Sequence, residues 1–191
     1  MIKNNIQSVC VFCGSRNGLD PKYKNTAAEL GYVISKAKLK LVYGGGSTGL
    51  MGTLASSAQK NNCSILGVIP DHLMQKEVGN KNLDSLEITK DMHERKKLMY
   101  NKSDAFIVLP GGVGTLDEFF EIITWSQLGL HKKPIILLNT HNFWDKLLDL
   151  INHQVESGFV DASIANLLVT ISTPRQALNY LLDPKRKLSP V

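Results

Sequence analysis

Cysteine is scarce in this chain, three in 191 residues, and no apolar run is long enough to cross a bilayer. The first shortage excludes a disulfide-stapled scaffold; the second excludes a membrane-spanning helix. Cys10 and Cys13 do form a C-x-x-C pair, but inside the apolar stretch SVCVFCG. A redox pair normally opens a helix. On a strand, residues three apart point to opposite faces, so both are expected as buried thiols. The opening MIKNNIQS lacks the apolar core of a signal peptide, which predicts a cytoplasmic protein.

Other absences narrow the chemistry. The five histidines show no H-E-x-x-H and no pairing with cysteines at zinc spacing, so no metal is expected. There is no G-x-S-x-G nucleophile elbow. No Lys-Ser or Lys-Thr follows the glycines as a Walker A loop requires. The sequence has no internal repeat, linker or low-complexity block, and 191 residues suit one domain. The net charge of +5 permits an anionic ligand without demanding nucleic acid. The basic cluster Lys185-Arg186-Lys187 has no interleaved aromatics and reads as a solvated end.

What is present is regular alternation. Apolar runs at Ser8–Gly14, Leu39–Tyr43, Ser64–Ile69, Leu83–Thr89, Ala105–Leu109, Pro134–Asn139 and Leu167–Ile171 read as strands. Helical spacing fills Pro21–Lys38, Gly49–Asn61, Asp91–Asn101, Gly114–Leu130, Phe143–Ser157 and Pro174–Leu182, with Asp71–Asn82 a looser segment. Continuous apolar strands alternating with helices predict an α/β fold, a doubly wound, mostly parallel, Rossmann-like sheet covered on both faces. Ligands of such folds sit at the carboxyl ends of the strands, near a switch point.

Two glycine turns lie at such ends. Gly44-Gly45-Gly46-Ser47-Thr48-Gly49 follows a strand and opens a helix. It satisfies G-x-G-x-x-G, with Asp71 some distance on, as in a dinucleotide fingerprint. The alternative is a tight turn that only lets helix and strand pack closely. Pro110-Gly111-Gly112-Val113-Gly114-Thr115 is the second. Glycines let backbone N–H groups converge on an anion, and Ser15 in CGSRNG lies at a third strand end. Asp117, Glu118 and Glu121 follow the second turn at once. Acids near a helix N-terminus complement its dipole, which suffices for Asp117; Glu118 flanks the apolar stripe of Phe119, Ile122 and Ile123. Met92, Arg95 and Met99, spaced i, i+3, i+7, make the Arg95 guanidinium emerge from an apolar face that excludes Lys96 and Lys97.

The segments VFCGS, LVYGGGSTGLMG, GVIP, MHERK, SDAFIVLPGGVGTLDE and ITWSQLGLHKKPIILLN resemble, in order, the Lonely Guy (LOG) family of cytokinin riboside 5′-monophosphate phosphoribohydrolases, long labelled lysine decarboxylase-like. The similarity runs from about Ser8 to Phe159, and the blocks P-G-G-x-G-T-x-x-E (Pro110 to Glu118) and M-x-x-R-K (Met92 to Lys96) are highly specific. The resemblance implies a homodimer that cleaves an N-glycosidic bond without a cofactor. Its catalytic pair would be Arg95 and Glu118. Substrate contacts would come from Ser15, from Gly44, Gly45, Gly46, Thr48 and Gly49, from Met92 and Lys96, from Gly111, Gly112, Gly114 and Thr115, and from Glu121. Arg16 stands where the family commonly has a second serine, and Glu77 to Leu83 lacks a histidine often seen there; both departures bear on the pocket rim.

Three functions follow as alternatives. The first is hydrolysis of adenosine 5′-monophosphates, N6-modified or plain. The second is an NAD-dependent oxidoreductase, motivated by GGGSTG and Asp71 but lacking a substrate domain. The third is a nucleotide-binding module without catalysis. A decarboxylase would need a lysine Schiff base with pyridoxal phosphate, and the crevice motifs offer only Lys96 and Lys97.

Overall fold

In the computed structural model, described over residues 6–74, 79–80, 83 and 85–184, seven strands form one wholly parallel sheet. They are β1 (Ser8–Phe12), β2 (Lys40–Tyr43), β3 (Ile65–Pro70), β4 (Leu86–Thr89), β5 (Ala105–Val108), β6 (Ile135–Leu138) and β7 (Val169–Ile171). The helices are α1 (Pro21–Lys36), α2 (Gly49–Lys60), α3 (Met92–Asn101), α4 (Val113–Gln127), α5 (Asp145–Glu156) and α6 (Pro174–Leu182). The strand order is β4-β3-β2-β1-β5-β6-β7, so the winding reverses between β1 and β5.

The central strands are buried along their whole length because both faces are covered. Val9 and Val11 face a core with Leu30 and Ile34 of α1, Leu54 of α2 and Leu178 of α6. Cys10 and Phe12 face the opposite core with Met99 of α3, Phe119 and Ile122 of α4 and Leu147 of α5. The two thiols that the sequence pairs therefore diverge: Cys10 joins one core and Cys13 the other, both buried and not bridged to each other.

Local chemistry fixes the helix starts. Asp20 accepts from the Lys22 amide and Pro21 supplies the first helical residue of α1. Asp91 caps α3 by accepting from the Glu94 amide at 2.8 Å. Boundaries moved where turns intervene. Gly129, at φ 74°, ends α4 before Leu130. A single 3-10 turn, with His141 in a left-handed conformation, delays α5 to Asp145. β4 is confined to Leu86–Thr89, with Glu87 and Ile88 exposed at the sheet edge. Lys185–Lys187 and most of 77–82 lie outside the described residues. No described helix is long and apolar enough to cross a membrane.

Candidate active site

The β1 and β5 loops meet at the point of reversal. The Gly14 amide donates to the Pro110 carbonyl at 3.0 Å, and the Leu50 amide of α2 donates to the Gly14 carbonyl at 3.1 Å. Three strand ends are thus laced together before any side chain is considered.

The loop Gly44–Gly49 is spent largely on the protein itself. A Cβ on Gly44 would run into the Arg95 guanidinium and the Met51 sulfur. Gly49 has φ +61°, and a Cβ there would strike the Ser15 backbone. Thr48 donates its hydroxyl to the Ser15 carbonyl at 3.3 Å. The Gly45 carbonyl accepts from the Asn80 amide at 2.9 Å, and Gly46 bridges to Gly79.

Arg95 is 4% exposed. Its Nε donates to the Val68 carbonyl at 3.1 Å and its Nη2 to the Gly44 carbonyl at 2.8 Å, with Nη1 3.7 Å from the Met92 sulfur. The planar fork is therefore fixed across the ends of β2 and β3. Glu118, 8% exposed, comes from the second turn of α4. Burial and then the Glu118 carboxylate push the Cys10 thiol well above its usual pKa, while a Ser103 hydrogen bond and the Arg95 charge oppose them. The thiol feels both charged groups and stays protonated beneath them.

The three acids after the second glycine turn divide between two tasks. Glu118 faces the cleft. Asp117 and Glu121 instead hold the Lys96 ammonium, at 3.1 Å each. Lys96 is only 8% exposed, which corrects its expected place outside the packed face of α3. Burial alone would lower its pKa; hydrogen bonds and charge from Asp117 and Glu121 outweigh that and raise it.

The resulting cleft has a volume of about 580 Å³, within the usual range for small-ligand sites. Arg95 and Glu118 line it together with Ser15, Gly44, Met92, Gly111, Gly112, Gly114 and Thr115. A Cβ on Gly112 or Gly114 would meet nothing within 4 Å, so the turn at the start of α4 presents bare backbone to the cleft. Among the described residues no cluster of His, Cys, Asp or Glu could hold a metal ion.

The chain matches a family model described as "Possible lysine decarboxylase" over residues 51–181. It is 43% identical to a probable cytokinin riboside 5′-monophosphate phosphoribohydrolase of Oryza sativa subsp. japonica, over 93% of this chain and 77% of that one. A cytokinin riboside 5′-monophosphate phosphoribohydrolase of Arabidopsis thaliana is 40% identical, over 94% of this chain and 82% of its own length. The chain belongs to the Lonely Guy family. Solved structures share the LOG fold at greater distance. A molybdenum cofactor carrier protein from Chlamydomonas reinhardtii superposes with TM-score 0.68 at 19% identity, covering 92% of this chain and 98% of that one. A molybdenum cofactor binding protein from Rippkaea orientalis does so with TM-score 0.66 at 22% identity, covering 91% and 94%.

Of the other expected contacts, Gly45, Gly46, Thr48, Gly49, Lys96 and Glu121 are not among the residues that line this cleft. Asp71, the acid of the dinucleotide reading, is exposed in a 3-10 turn after β3 and also lies off the cleft. Conversely, Tyr23, Leu73 and Phe143 line it without any motif to announce them. Tyr23 and Phe143 pack edge to face at 5.5 Å. Their only sequence signal is position, close after β1 and β6, where this fold collects its loops. Arg16 also lines the cleft and is exposed.

Proposed function

We propose that the chain hydrolyses the N-glycosidic bond of adenosine 5′-monophosphates, including N6-modified ones of cytokinin type, to the free base and ribose 5-phosphate. One observation carries this reading: buried Arg95 and buried Glu118 line the same cleft as the bare glycine turn that opens α4. The plant relatives named for this activity support the same reaction class.

The chemistry follows from separating charges. Backbone amides of Gly112 to Thr115, at the positive end of α4, suit the phosphate. Glu118 lies six residues beyond Gly112, about 9 Å along the helix axis. A carboxylate at that distance faces the sugar and not the phosphate. As the bond breaks, its electron pair leaves with the base nitrogen and the anomeric carbon becomes oxocarbenium-like. Glu118 stabilises that cation and takes a proton from the attacking water, whose oxygen bonds to the anomeric carbon. That proton passes on to the departing base, directly or through water, which returns Glu118 to its carboxylate. Arg95, immobilised by its two carbonyl partners, orients Glu118 and steadies the base. We read the active species as a homodimer, since Leu128 and Leu130 stand 68% and 64% exposed just past α4; sedimentation at monomer mass would remove that part of the reading.

The test is incubation with AMP, isopentenyladenosine monophosphate and adenosine, with products separated by chromatography. Base release is expected from both monophosphates and only poorly from adenosine, because the phosphate positions the sugar. Glu118→Gln and Arg95→Ala are each expected to lower kcat by about 10²-fold or more. Nucleotide binding with no base released by the wild-type protein would reduce the chain to a binding module.

A further inference from the structure

Lys96 neighbours Arg95 on α3, and Asp117 neighbours Glu118 on α4. The Lys96 ammonium bonds both Asp117 carboxylate oxygens, at 3.2 and 3.1 Å, and reaches Glu121 at 3.1 Å. Asp117 and Glu121 are one helical turn apart, so a single buried cation grips α4 at two levels. That grip resists both sliding and rotation of α4 against α3. Successive residues of a helix differ by about 100° in direction and 1.5 Å in height. Any movement of either helix that broke the clamp would therefore carry Arg95 or Glu118 with it. Arg95 is itself fastened to the ends of β2 and β3, which makes α3 the fixed partner and α4 the one that is held.

We propose that Lys96, clamped by Asp117 and Glu121, is a positioning residue that sets Glu118 relative to Arg95 from outside the cleft. This rests on the hydrolase reading for its kinetic consequence and goes beyond it by removing Lys96 and Glu121 from substrate contact. The clamp lies next to the reacting groups in sequence yet none of its three side chains lines the cleft. Its effect is on geometry, and a displacement of about 1 Å at a reacting group costs on the order of 10²-fold in rate.

The test uses Lys96→Met, which keeps the aliphatic stem, the paired variant Asp117→Asn with Glu121→Gln, and Lys96→Arg as the conservative replacement. Lys96→Met removes the buried charge and leaves Asp117 and Glu121 within reach of solvent, so it keeps the fold even if the paired variant, which leaves a buried ammonium without its carboxylates, does not. With AMP as substrate, Lys96→Met and the paired variant are each expected to lose about 10- to 10²-fold in kcat with KM changed less than about threefold. Combining them should add little, as one clamp can be broken only once, and Lys96→Arg should recover part of the rate. A tenfold rise in KM in Lys96→Met, with the paired variant normal, would overturn the proposal in favour of direct substrate contact. If the wild-type protein releases no base, the hydrolase reading fails separately. The clamp is then judged by a crystal structure of Lys96→Met: Glu118 displaced relative to Arg95 supports it, and an unchanged arrangement overturns it.

Discussion

The two glycine turns look alike in the sequence and do opposite things in the fold. Gly44–Gly49 and Pro110–Thr115 each follow a strand and open a helix. In the first, the space a side chain would occupy is already full: the Arg95 guanidinium lies over Gly44, and the Ser15 backbone over Gly49. In the second, Thr115 fills the space beside Gly111, but the space beside Gly112 and Gly114, which line the cleft, is open. A glycine motif therefore marks close approach, but what approaches is either the protein or its ligand. Here one loop builds the wall that holds Arg95, and the other offers bare amides to an anion.

The sharpest way to break this contrast is Gly49→Ala. The residue needs φ +61° and has no room beside Ser15. Left-handed strain of about 1–2 kcal/mol and overpacking of about 1–3 kcal/mol predict a melting temperature lower by roughly 10 °C, read by thermal denaturation. Gly44→Ala should leave the fold standing but push Arg95 from the Gly44 carbonyl, lowering kcat by about 10²-fold in the AMP assay. Gly114→Ala should do the reverse of Gly49→Ala. In the first turn of α4 it stabilises by up to about 1 kcal/mol, while the added methyl raises KM for AMP by about tenfold, near 1.4 kcal/mol. Equal loss of stability in Gly49→Ala and Gly114→Ala would erase the distinction between the loops. The smallest effect is expected for Arg16→Ser, which restores the family's usual residue. An exposed cation contributes about 0.2–1 kcal/mol to a charged partner. KM for AMP should rise by no more than about fivefold at low salt, the difference shrinking as ionic strength rises.

Much of the fold was legible because it rests on local rules. Continuous apolar strands, Asp91 before α3, and Pro174 opening α6 each carry their meaning within a few residues. The site was legible where one motif supplied both backbone and side chain, as in Pro110 to Glu118. It was not legible where two helices meet. The spacing of Met92, Arg95 and Met99 reveals one packed face of α3, yet buried Lys96 also reaches Asp117 and Glu121 of α4, a meeting of distant segments that the spacing does not show. For the same reason the ion pairs of Asp117 and Glu121 with Lys96 have no signal in the spacing of α4 alone. Tyr23, Leu73 and Phe143 were missed because a residue's distance from a cleft has no sequence period.

The sequence by itself determined the α/β alternation, the parallel sheet and the presence of two backbone-rich turns, because hydrophobic period and glycine act over short range. The tertiary structure alone decided which turn stays open, which acid faces the cleft and which lysine is buried. Those outcomes depend on what lies opposite each residue across the sheet, and that neighbour comes from a distant part of the chain.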